Sequence, residues 1–100
     1  MSNKPKLILK ELDKFINTKA FNQYIKDGFT FHYDLYTFDL LTTYSSKEYV
    51  VNLVVKDGQY YWRLTPYNNS FFETSINNGL DIVIFAIKEN ENLYVRKEIN

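Results

Sequence analysis

The chain has no cysteine, three glycines, two prolines, one histidine and two arginines in 100 residues. Each shortage closes off a class of function. Without cysteine there is no disulfide framework, no thiolate metal site and no thiol nucleophile, a composition that suits a reducing cytosol and sets the expectation of a cytoplasmic protein. The single His32 excludes a metal site built on two or more imidazoles. Gly28, Gly58 and Gly79 stand too far apart to form a phosphate-binding loop. The two arginines, Arg63 and Arg96, supply few of the forked donors that grip phosphates and guanines. Twelve basic residues against twelve acidic ones leave no net charge to draw in a phosphate backbone. Nucleic acid is therefore not the expected partner. A membrane is not expected either, because the apolar run at 7–9 is followed at once by Lys10 and Glu11 and forms neither a secretory segment nor a span.

What remains is an ordinary globular balance, 45% hydrophobic and 24% charged, with an aromatic share of 18%. A chain of this length buries about two thirds of its unfolded surface and builds one core, so residues 1–100 are read as a single domain. Lysine, asparagine and isoleucine are frequent, as in proteins from AT-rich bacterial or phage genomes.

Between residues 5 and 27 the apolar positions Leu9, Leu12, Ile16 and Ala20 follow helical spacing, widened by Ile8, Phe15, Phe21, Tyr24 and Ile25. Pro5 suits a first turn and Gly28 a C-terminal cap. Asn17-Thr18 offers a break, with Thr18 able to cap a second short helix through Tyr24. After Gly28 the period drops to two. Phe29, Phe31, Tyr33 and Leu35 alternate with polar residues, and Phe38, Leu40, Thr42 and Tyr44 repeat the pattern as far as the polar cluster at 45–48. The link between Leu35 and Phe38 is either a tight turn or a bulge in one bent strand. Asp57-Gly58 is the signature of a type I′ hairpin between apolar runs at 49–55 and 60–64. The first of these runs is apolar on both faces, which marks a central strand.

Pro66 is expected to end the following strand. Ser70-Phe71-Phe72-Glu73 has capping-box spacing and Asn78-Gly79 is a natural stop, so a helix of about two turns is expected between them. The run at 80–87, rich in isoleucine and valine, reads as a buried strand, and 93–98 as a charged terminal strand whose Arg96 and Lys97 discourage edge pairing. The expected fold is α+β: an N-terminal helical segment packed on an antiparallel sheet of five or six strands, with a short helix before a final hairpin.

Candidate chemistry is sparse. His32 and Asp34 share a strand face and can in principle orient a general base, but one-face alternation of polar residues accounts for both. The carboxylate pairs Asp34 with Asp39 and Glu89 with Glu91 sit at strand ends and turns, where acids need no special role. No catalytic residue, metal or cofactor is expected. The aromatic residues carry more. If Trp62 points into the core, Tyr61 and Arg63 face away beside Val50, Asn52 or Val54, and tyrosine with arginine is a frequent hot-spot pair. Together with Tyr67, Phe71 and Phe72 they form the expected partner-binding set, since one helix cannot cover so many rings. The function expected from these residues is a non-catalytic protein-binding module, of the small inhibitor, anti-defence or immunity type, acting on another protein as a monomer or homodimer. The alternatives are a small-molecule pocket and then a single-stranded nucleic-acid platform on Tyr60, Tyr61 or Trp62.

Overall fold

A computed structural model describes the backbone of residues 4–99 and the side chains of residues 4–93. The helical N-terminal segment is two helices, α1 (Lys4–Ile16) and α2 (Lys19–Lys26). The break falls where Thr18 supplies a cap: its hydroxyl accepts the N–H of Phe21 at 3.2 Å and donates to the Phe15 carbonyl at 2.8 Å. Gly28, at φ 102°, then turns the chain out of α2 and into the sheet.

Five strands follow, β1 (Thr30–Tyr33), β2 (Leu40–Tyr44), β3 (Lys47–Lys56), β4 (Gln59–Tyr67) and β5 (Ser70–Ser75), paired antiparallel in chain order. The α+β class, the N-terminal helical segment and the five-stranded antiparallel sheet thus match expectation, with β3 in the middle of the sheet. Asp57 and Gly58 both have positive φ, as the I′ hairpin requires, and join Lys56 to Gln59. The same device recurs at Ser45-Ser46 and Asn68-Asn69, so three successive hairpins turn on two residues of positive φ.

The C-terminal third departs from expectation. Residues 70–75 are a strand, and the helix expected there shrinks to a 3-10 turn at Ile76–Asn78. Capping-box spacing also describes a strand in which Ser70 ends a hairpin and Glu73 faces Arg63 across the ladder. Pro66 lies inside β4, at a register shift between Leu64 and Tyr67, where a residue without an N–H breaks no regular pair. The strands expected at 80–87 and 93–98 are one helix, α3 (Leu80–Ile99). Its buried residues Leu80, Val83, Ile84, Ala86, Ile87 and Asn90 lie along one helical stripe, while Ile82 and Phe85 are exposed. Tertiary packing of that stripe overrides the strand preference of isoleucine and valine. There is no final hairpin in residues 80–99, and the side chains of Arg96 and Lys97 lie outside the described ones.

All three helices cover one face of the sheet. That face carries Leu40, Thr42, Tyr49, Val51, Leu53, Trp62 and Leu64, all buried. The α3 helix crosses β4 and β5 and packs against α1, bringing an aliphatic stripe to its half of the core. The other half is aromatic. Phe15 meets Phe21 and Phe31 edge-on at 5.4 Å, and Phe29 stacks on Tyr44 at 4.1 Å, which locks α1, α2 and β1 together. A polar clasp closes the C-terminal side. Asn90, buried, donates to the Tyr49 hydroxyl at 3.0 Å and accepts the Asn68 N–H at 2.8 Å. Tyr49 in turn donates to Glu91 at 2.7 Å. Burial, then that carboxylate, pushes the Tyr49 pKa up to about 12, so the hydroxyl stays protonated as the donor.

Candidate functional site

The opposite face of the sheet has no helix over it among the described residues. Strand alternation places Leu41, Val50, Asn52, Val54, Tyr61, Arg63, Phe71 and Glu73 on this side, none of them fully buried. Two cross-strand rows organise it, Asn52 with Arg63 and Glu73, and Val54 with Tyr61 and Ser75. Here the expectation for Tyr61 and Arg63 holds in detail: with Trp62 turned inward, they stand beside Val54 and Asn52.

Arg63 is fixed from two directions. Its Nε and Nη2 donate to the Glu73 Oε2 at 2.9 and 2.8 Å, and its guanidinium lies 4.3 Å from the centre of the Phe71 ring. The other Glu73 oxygen accepts from Lys56, whose ammonium stands 5.8 Å from the Tyr61 ring. The two cations around one carboxylate leave this cluster with an excess of one positive charge. The face therefore joins aromatic area, a rigid planar cation and half-buried valines.

Glu73 is held below its ordinary value of 4.5, first by the hydrogen bond from Lys56, with burial opposing, and then by that from Arg63. A carboxyl depressed in the fold binds its proton more readily in the unfolded chain, so its contribution is present above pH 4.5 and fades as the pH falls further. The denaturation midpoint should accordingly drop on acidification below that point. In Glu73→Gln the gap from the native chain, open at pH 7, should narrow over the same range.

The expected site residues divide between the two faces. Tyr61, Arg63 and Phe71 are brought together on the open one. Tyr67 and Phe72 are not: their rings lie 5.6 Å apart, both pack against the core, and the Tyr67 hydroxyl donates to Glu89 of α3. They hold α3 to the sheet. Of the residues considered for base stacking, Tyr60 also packs on the core and Trp62 is buried. Val50 and Val54 stand on the face as expected, and Glu73 joins it as a member not anticipated. Reading Glu73 onto it needs 70–75 to be a strand, and the capping-box spacing conceals that.

Asp34, Glu89 and Glu91 have structural partners. Asp34 Oδ1 accepts the N–H groups of Tyr36 and Thr37 at 2.7 and 3.0 Å, the geometry of an Asx turn, and these bonds hold its carboxyl below the usual range. Glu89 and Glu91 accept from Tyr67 and Tyr49. Among the described residues no cluster of three or more metal-ligating side chains occurs, and no helix is long and apolar enough to cross a membrane. No protein-family model, no curated protein and no solved structure matches this chain.

Proposed function

We propose that this chain is a non-catalytic protein-binding module, of the kind found among small bacterial or phage inhibitors, anti-defence and immunity proteins, that meets its partner with the open face of the sheet. The observation that carries the reading is the fixed Arg63, stacked on Phe71 and clamped by Glu73, next to Tyr61 and Val54 on a face without helical cover. Side chains already held in place lose little freedom on binding, which raises the affinity gained per contact. An aromatic and arginine centre with valine around it has the composition of an interface core. Small-molecule binding between helices and sheet draws less support, since the rings of Phe15, Phe21, Phe29, Phe31 and Tyr44 there fill space against one another.

The test uses the full chain immobilised at physiological salt and exposed to lysate of the source organism, beside a Tyr61→Ser/Phe71→Ser variant whose fold is verified by circular dichroism. The expected result is a protein retained by the native chain and reduced at least tenfold by the variant. Equal retention by both, or retention of nothing, sinks the reading. Salt-dependent binding of a labelled oligothymidine by the native chain alone would replace it with the nucleic-acid alternative.

A further inference from the structure

The loop joining β1 to β2, residues 34–39, carries the largest apolar exposure among the described residues and takes no part in the open face. Tyr36 is 95% exposed and Leu35 is 72% exposed, more than Phe85, Val55 or any other large hydrophobic residue described. Both contribute little buried area to the fold.

The backbone beneath them is nonetheless closely held. Besides the Asx turn at Asp34, the Asp34 N–H donates to the Asp39 carbonyl and the Phe38 N–H to the Asp34 carbonyl, each at 2.8 Å. Phe38, at φ 62°, is packed back against the core and anchors the far side of the loop. A loop ordered in this way presents its two tip side chains with little backbone entropy left to lose. Tyrosine, with only two side-chain torsions, is suited to act as such an anchor.

Charge defines what the tip can meet. Between Lys26 and Lys47 the sequence contains Asp27, Asp34 and Asp39 and neither lysine nor arginine. Asp27 is engaged by Lys88 at 3.3 Å, so Asp34 and Asp39 give the flanks of the tip their negative character. An anionic lipid surface would be repelled by that pair, whereas a cationic rim would be drawn to it. We propose that Leu35 and Tyr36 form a preordered plug that enters an apolar pocket on a partner protein, with lysine or arginine at the pocket's rim facing Asp34 and Asp39. The proposal rests on the reading of the chain as a protein-binding module but not on the open face of the sheet.

The capture experiment separates the two surfaces when a Leu35→Ser/Tyr36→Ser variant is run beside the Tyr61→Ser/Phe71→Ser variant. Because neither tip residue is buried, the loop variant should keep the native denaturation midpoint, which removes misfolding as an explanation. The proposal expects the loop variant to retain at least tenfold less of the captured protein. It also expects a cyclised peptide of residues 33–40 to compete for that protein, and retention to fall as salt rises. Retention untouched by the loop variant overturns the proposal, and if the Tyr61→Ser/Phe71→Ser variant alone loses the protein, the open-face reading survives without it. The reverse pattern keeps the plug and discards the open face. Failure of the peptide to compete, concentration-dependent self-association abolished by the loop variant, or loop-dependent binding to lipid vesicles would each overturn it in favour of another occupant. Retention of nothing by the native chain overturns both readings.

Discussion

Trp62→Ala is expected to destabilise the fold by about 3–5 kcal/mol, the range for emptying a large aromatic site in a core. Trp62 is 1% exposed and lies on the covered face of β4, paired across the sheet with Leu53, which is equally buried. The strand on its other side places Thr74 opposite it. A sheet backbone held by ladders on both sides closes up little around the space left. With a urea slope of about 1.5 kcal/mol/M, the midpoint should fall by about 2–3 M. Circular dichroism is the suitable probe, since the variant removes the chain's only tryptophan. Trp62→Phe makes the argument specific. The indole Nε1 is buried without a hydrogen-bond partner, so phenylalanine gives up no such bond and should cost much less than alanine. Equal losses in the two variants would mean that the indole N–H, not the volume, holds the site.

Asn90→Ala is expected to cost about 2–4 kcal/mol, from two hydrogen bonds lost at a buried amide together with the space it leaves. The amide joins three elements: α3, which carries it; β3, through the Tyr49 hydroxyl; and the turn between β4 and β5, through the Asn68 N–H. Its neighbours extend the tie, Glu89 to Tyr67 on one side and Glu91 to Tyr49 on the other. Asn90→Leu, which keeps the bulk and drops the polarity, should be no better tolerated, because the Tyr49 hydroxyl then faces a methyl group. A double-mutant cycle with Tyr49→Phe should show coupling of about 1 kcal/mol. A loss under about 1 kcal/mol for Asn90→Ala, or strictly additive effects with Tyr49→Phe, would show that α3 is held by its apolar stripe alone.

The parts of the fold that follow from the sequence are those where a local preference and the packed structure agree. Thr18, Gly28 and Asp57-Gly58 each act through their own backbone or side chain, and each sits where its chemistry suggests. Period two in 30–33, 40–44 and 49–55 identifies strands because one face is covered and the other is not. The failures arise where two readings are equally local. Isoleucine and valine at 82–87 favour a strand by shape, and only the need to cover β4 and β5 selects the helix that buries Val83, Ile84 and Ile87 together. Ser70 and Glu73 satisfy a helix cap on paper, while Glu73 finds Arg63 and Lys56 only after β4 and β5 have paired. The site was legible in the same measure. Tyr61 and Arg63 follow from the inward direction of Trp62, whereas Phe71 reaches the same face only through the strand at 70–75 that the capping-box spacing conceals, and Tyr67 and Phe72 are drawn inward by α3, a helix the local pattern also conceals. The exposed tip at Leu35 and Tyr36 continues an apolar alternation, and nothing in that pattern distinguishes a strand end from a loop until Asp34 is seen bonding forward to Tyr36 and Thr37.

The three two-residue hairpins bear on how the chain finds this structure. Since every strand pairs with its neighbour in sequence, β2 to β5 can form by closing loops of minimal length, and little chain entropy separates one register contact from the next. The contact that spans the whole molecule is that of α1 with α3, which come from opposite ends of the chain. A nascent chain leaving the ribosome can therefore assemble its sheet early, but the apolar side of β4 and β5 stays uncovered until α3 is released. The interval between those two events is when this protein is most exposed to aggregation.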